Sequence, residues 1–180
     1  MTAGDLSATG ECSSNLTLFL AVLGGRVAGA HIELHDVRFV VGHCIEDTLP
    51  ELARQWFGAR RGLHLDSWMA VRCVDGFRVE LRPEPFMGEE RLWFVNLGGY
   101  DPAQLAEQHG FALVVATSPQ GAKVKARQRL LPGLTQRHKD DLYGVDDCLE
   151  VQIGTGMAVH LIPAGCDQPQ VPDWFGYRPF

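Results

Sequence analysis

Glu33-x-His35 and His64-x-Asp66 place two imidazoles and two carboxylates in two short stretches of a 180-residue chain. In an extended segment, residues two apart point to the same face. Two such segments side by side would bring two nitrogen and two oxygen donors together. That is the donor set of a zinc, iron, manganese or nickel ion, and equally of a histidine–carboxylate acid–base pair. The same residue types recur 74 positions later as Glu107, His109, His138 and Asp140. The expected ligands of a divalent metal are therefore Glu33, His35, His64 and Asp66, and again Glu107, His109, His138 and Asp140. For catalysis the candidates are His35, His64, Asp66, His109, His138 and Asp140. A scaffold role uses the same residues, with Asp66 and Asp140 capping turns, His35 and His109 buried and hydrogen-bonded, and the glutamates paired to arginines such as Arg26. Two function classes compete: a small-ligand-binding or assembly module without catalysis, and a hydrolase-like enzyme using metal-assisted or acid–base chemistry.

Other signals are weaker. Gly24-Gly25 and Gly98-Gly99 follow apolar runs but belong to no phosphate-binding pattern, so close backbone packing at the junction between the copies is expected there. His31 and His43 lie near the first set, yet the offset carries them onto Leu105 and Thr117. There is no GxSxG elbow for a serine nucleophile, and the aspartates from 140 to 147 lack calcium-loop spacing.

The elements that must position these residues also repeat. At the offset of 74, Leu18, Leu23, Gly24 and Gly25 fall on Leu92, Leu97, Gly98 and Gly99, and Val40-Val41 on Val114-Val115. Eleven identities fall between residues 18 and 71 without a gap, where chance supplies roughly 3 or 4 at ordinary composition. Tandem duplication explains this, and each copy reads as two strands, a helix and a hairpin. Thr48 and Glu51 predict the first helix start, with Pro50 in its first turn. Ser118 and Pro119 predict the second, with Ala122, Ala126 and Leu130 inward and Lys123, Lys125, Arg127 and Arg129 in solvent. Asp75-Gly76 predicts a two-residue type I′ turn. The expected fold is α+β, a tandem duplication of a ββαββ unit packed about a pseudo-twofold axis. The expected organisation is a mobile leader at 1–15, repeat 1 at 16–83, a connector at 84–91 and repeat 2 at 92–163. A Pro/aromatic tail at 164–180 is expected to dock on the body or on a partner, a second copy of the chain being the partner it suits.

Composition narrows the classes further. The chain is 46% apolar, and 16 Lys+Arg against 22 Asp+Glu give a net charge of −6. That disfavours nucleic-acid and anionic-membrane partners. The apolar octet Leu16–Leu23 lacks the basic stretch of an export signal and reads as a buried strand. Five scattered cysteines without a CxxC pair read as reduced thiols in a cytoplasmic protein.

Leu23-Gly24-Gly25, Ile32–Val37 (IELHDV), His64–Trp68 (HLDSW) and Val74-Asp75-Gly76 resemble the pattern of a bacterial family, the domain of unknown function 1543 proteins. Asn96–Tyr100 and His138–Val145 are similar to the C-terminal half of that family. The second copy departs from the pattern with Gly110-Phe111 for Asp36-Val37 and Leu142 for Trp68. The resemblance implies one or two copies of the domain per chain and implies no activity.

Overall fold

The computed structural model describes residues 12–99, 103–130, 145–154 and 156–180. In chain order the elements are β1 (Thr17–Gly25), β2 (Leu34–Gly42), α1 (Ile45–Gln55), β3 (His64–Ala70), β4 (Cys73–Val74) and β5 (Gly76–Arg82). The second half contributes β6 (Arg91–Gly99), β7 (Gln108–Ala116), α2 (Pro119–Leu130), β8 (Val145–Glu150), β9 (Ala158–Cys166) and β10 (Trp174–Pro179). They form three antiparallel sheets, ordered β10-β3-β1-β2, β4-β5-β9 and β7-β6-β8.

The apolar run of β1 makes it a central strand buried on both faces, and period-two alternation divides its side chains between two cores. Phe19, Ala21 and Leu23 pack with Ile45, Leu52 and Trp56 of the α1 layer. Leu18 and Leu20 face the other way, into a core shared with Leu92 and Phe94 of β6 and Leu113 and Val115 of β7. Strand β6 repeats the arrangement, with Trp93, Val95 and Leu97 against Ala122 and Ala126 of α2. Each fully buried leucine contributes about 1.5–3 kcal/mol, against about 0.5–1.5 kcal/mol for a net hydrogen bond. The shared apolar core therefore does more than the ladders to hold the copies together.

The expected α+β fold is corrected: the chain is β-rich, with two helices against ten strands among the described residues. The copies are not self-contained ββαββ units about a pseudo-twofold axis. The Asp75-Gly76 turn has positive φ at both residues, 51° and 88°, as a type I′ turn requires, but the strand before it pairs for only two residues. From Phe77 to Arg82, β5 instead pairs with β9 of the second copy, Phe77 opposite Pro163 and Arg82 opposite Ala158. Two separate hairpins would leave two open edges. Pairing the closing strands removes one edge from each and puts Val79, Leu81, Val159 and Leu161 on the shared core.

Local details shift as well. Helix α1 begins at Ile45 after Cys44 as N-cap, three residues before Thr48, and Pro50 lies inside it. Asp47 supplies the carboxylate, accepting from the backbone N–H of His43 at 3.1 Å and of Cys44 at 3.4 Å. Thr48 instead donates its hydroxyl to the Ile45 carbonyl within the core. Helix α2 starts as its sequence predicts, with Ser118 Oγ accepting from Gly121 N–H. Its outer cations are not all in solvent. Arg129 bonds Asp75 and the Leu113 carbonyl, and Lys125 the Val115 carbonyl. Asp75 accepts Val115 N–H at 2.8 Å, while Gln170 bonds both polar backbone groups of Leu113. Side chains thus occupy the outer edge of β7 where another strand would sit.

The reduced-thiol reading is also corrected, because Cys73 and Cys166 form a disulfide. Register explains it: Gly76 pairs with Cys166, and Cys73 lies just across the turn, 5.9 Å between Cα atoms. A separation of 93 residues hid the pair from spacing arguments. Cysteine usage thus gives no support to a reducing compartment. Among the described residues, no helix is long and apolar enough to cross a membrane.

Trp56 tests the helix-side core. It is 7% exposed, and Trp56→Ala is expected to cost about 3–5 kcal/mol in urea unfolding; a loss under about 1 kcal/mol would place it outside the core. Asp75 tests the link between copies. Asp75→Gly keeps the positive φ and removes the carboxylate, so it should cost about 1.5–3 kcal/mol, and an unchanged urea midpoint would show that the Arg129 contact contributes nothing.

Candidate functional site

The four polar residues of the first copy come together around a glycine. Gly24 of β1 pairs with His35 on β2 and with His64 on β3. Residues directly opposite in adjacent antiparallel strands share a face, so the two histidines flank Gly24 on the face that carries Leu18 and Leu20. A Cβ at Gly24 would fall on His64 Nε2 and lie 3.0 Å from Asp66 Oδ2. The glycine is there to leave room for the imidazole. Gly25 does the same on the opposite face for the Trp56 ring. These glycines therefore serve strand ends beneath bulky rings, not the junction between copies.

A bulge brings His64 to this face. Val22 pairs with Ser67 but Leu23 pairs with Leu65, which leaves Asp66 as the extra residue. In a regular ladder Leu65 would sit opposite Gly24 and His64 would point toward α1. The bulge exchanges them, sending Leu65 into the helix-side core and His64 to the site. Glu33 joins from the turn just before β2.

The distances define a chain of contacts. His64 Nε2 is 3.1 Å from Asp66 Oδ1, and His35 Nε2 is 3.3 Å from Asp66 Oδ2. On the other side of its ring, His64 Nδ1 is 2.9 Å from the Gly62 carbonyl and 3.7 Å from Glu33 Oε1. Donor atoms of Glu33, His35 and His64 all lie within 4.8 Å of one another. The His64 side chain is 2% exposed and that of His35 55%, so the site is buried at one end and open at the other.

The arrangement constrains charge. A carbonyl oxygen only accepts, so His64 Nδ1 carries a hydrogen toward Gly62. Nε2 then faces an Asp66 carboxylate that also only accepts when ionised. A proton or a metal cation must lie between them, since two lone pairs at that distance repel. A backbone carbonyl holding Nδ1–H is also how metal-binding histidines are commonly oriented.

Sequence reasoning missed Tyr177. Its ring lies 4.1 Å from that of His64, carried on β10, which pairs with β3 and shifts register between Phe175 and Arg178. The aromatic density of the tail was a signal that it docks, but nothing in the sequence tied it to His64.

The second copy differs. Gly98 pairs with His109, and His109 Nε2 is 3.9 Å from Glu107 Oε2. His138 and Asp140 lie outside the described residues. The offset of 74 that aligns them in sequence with His64 and Asp66 is not the register of the third strand of each copy. The offset of 74 holds through the first two strands and the helix, but Leu65 pairs with Leu23 whereas Val145 pairs with Leu97, an offset of 80. Backbone bonds agree: Val71 N–H donates to Leu18 O, and Val151 N–H to Leu92 O. The counterpart of Asp66 is Asp146, the extra residue of a bulge at the same place. Continuing the offset of 80, Gly144 stands in sequence where His64 stands in the first copy. The second copy has no histidine at that position.

Comparison with other proteins agrees with the duplication. The family model described as Domain of Unknown Function (DUF1543) matches residues 30–81 and again 104–154. None of the curated proteins matches. The chain is similar to the crystal structure of a protein Il1583 from Idiomarina loihiensis, 42% identical over 92% of this chain and 97% of that one, with a TM-score of 0.72. Two tandem matches to one model, and a relative this similar over nearly its whole length, assign the chain to the DUF1543 family as a member with two copies of the domain.

Proposed function

We propose that this protein is a small-ligand-binding module anchored on a divalent metal ion, held in the first copy by His35, His64 and Asp66 with Glu33 beside them. The observation that carries the reading is the demand for positive charge between His64 Nε2 and Asp66, 3.1 Å apart. A divalent ion meets that demand and draws in His35 Nε2, which faces the other oxygen of the same carboxylate. Two imidazoles and one carboxylate leave a fourth position free, the ligand count of an open zinc-type site. A small anionic or carbonyl ligand would take that position from the exposed His35 side. With zinc–ligand bonds of about 2.0–2.2 Å, two ligands of a tetrahedral ion stand about 3.4 Å apart, close to the 3.1 and 3.3 Å that separate the Asp66 oxygens from the two histidines.

The metal-assisted hydrolytic reading uses the same ion, with a bound water in the free position and Glu33 as the nearby carboxylate base. The favouring observation is that Glu33 lies against His64 Nδ1 rather than Nε2, which leaves its other oxygen available. The proposal places no equivalent site in the second copy, where Gly144 stands at the sequence position that the offset of 80 gives for His64.

Metal content after loading with zinc and removing the excess should be one ion per chain. His35→Ala and His64→Ala should each lower affinity by tenfold or more, whereas His109→Ala should leave both affinity and stoichiometry unchanged. No retained metal, or two ions per chain, would end the proposal.

A further inference from the structure

The cysteines outside the disulfide include a pair that the site above does not use. Cys12 is exposed and Cys44 is buried as the N-cap of α1. Backbone and side-chain bonds hold their two segments together: Ser13 N–H donates to the His43 carbonyl at 2.8 Å, and His43 Nδ1 is 3.1 Å from the Ser13 carbonyl. Cys12 immediately precedes Ser13 and Cys44 immediately follows His43, so an antiparallel alignment puts the two cysteines opposite each other. Cross-strand partners of this kind have Cα atoms about 4.5–5.5 Å apart, within the range a disulfide spans. Both line one cavity of about 450 Å³, together with Phe19, Trp68 and Arg72.

We propose that Cys12 and Cys44 are an oxidisable dithiol, the site of a second disulfide formed by exchange with a small disulfide such as glutathione disulfide. The exposed Cys12 thiolate attacks one glutathione sulfur, forming a mixed disulfide and releasing one glutathione thiol. The Cys44 thiolate then attacks Cys12 Sγ and releases the second. Two protein thiols and one glutathione disulfide become one protein disulfide and two glutathione thiols, so electrons and protons balance. The order of attack follows from the environments. A hydrogen bond with the Cys12 thiol, then burial, push the Cys44 thiol up to about 11, so it is the poorer first nucleophile. Cys148 is isolated from both, its thiol directed at the Pro119 carbonyl. Closure would join the segment ahead of β1 to the start of α1, in a loop that contains β1, β2, Glu33 and His35.

The test equilibrates the full chain in glutathione buffers at a poise where Cys73–Cys166 is complete, blocks free thiols with an alkylating reagent, and maps peptides by mass spectrometry. The expected product is a linked Cys12–Cys44 peptide pair, lighter by two hydrogen atoms than the sum of the free peptides, with Cys148 alone alkylated. Cys44→Ser keeps a good N-cap residue and should trap Cys12 as its glutathione adduct. Wild-type protein in which Cys12 and Cys44 are both alkylated, or in which Cys12 ends as a stable glutathione adduct, would overturn the proposal. So would a Cys44→Ser variant whose Cys12 takes up no glutathione.

Discussion

Strands β1 and β6 are each buried on both faces, and most of the architecture follows from that constraint. A strand that serves two cores is apolar along most of its length, and between the first residue and the closing glycines of these two strands only Asn96 of β6 is polar. One face must find a helix and the other must find the second copy. Leu18 and Leu20 meet Leu92 and Phe94 because neither sheet has another surface on which to bury them. A single copy would expose this face to water, at about 1.5–3 kcal/mol for each large apolar side chain. That is a large share of the total stability of a small domain. The pairing of β5 with β9 and the Cys73–Cys166 disulfide join the copies at the same margin of this core.

The same constraint decides where chemistry can lie. Polar residues gather where the central strand runs out of apolar side chains, at Gly24. There the neighbouring strands supply what β1 cannot, His35 from one side and His64 from the other. The bulge at Asp66 selects which face His64 occupies, and a one-residue change in register would bury it against α1 instead. Glycine at position 24 is thus a requirement of the site and not of a turn. It forgoes side-chain packing in the middle of a sheet, and the space it leaves is filled by an imidazole.

Much of this was legible in the sequence, and the illegible part has identifiable causes. Local signals held where short-range physics decides: the two opening strands, the Ser118 cap with Pro119, and the Asp75-Gly76 turn. The Glu33/His35/His64/Asp66 grouping followed from spacing, although the reason is a bulge that no spacing rule contains. Long-range pairing is where the reading failed. A β-rich hairpin and a strand exchanged between copies look alike in one sequence, because both are alternating strands beside a tight turn. Thr48 and Glu51 fit a capping pattern and so predict the α1 start three residues late, while the cysteine at the N-cap carries no such signal. The identities of His138, Asp140 and Val145 with His64, Asp66 and Val71 hold only at an unbroken offset of 74. Six additional residues between α2 and β8 move the true register away from them.

That shift bears on how a duplicated chain divides its work. Both copies retain the glycine at the strand end, the histidine opposite it and an aspartate at the bulge, since Gly98, His109 and Asp146 occupy those places. What differs is the second imidazole and the covering of the strand that carries it. In the first copy β10 pairs with β3 and lays Tyr177 against His64. Asp173 and Gln168 fix the approach to β10 by accepting from the backbone N–H groups of Ala70, Arg72 and Cys73. The tail therefore both completes the first sheet and closes the site along its His64 side. The open side of the cluster is the one where the ring of His35 stands in solvent, beside Glu33. The first copy, which receives the tail, has in His64 a buried imidazole for it to cover.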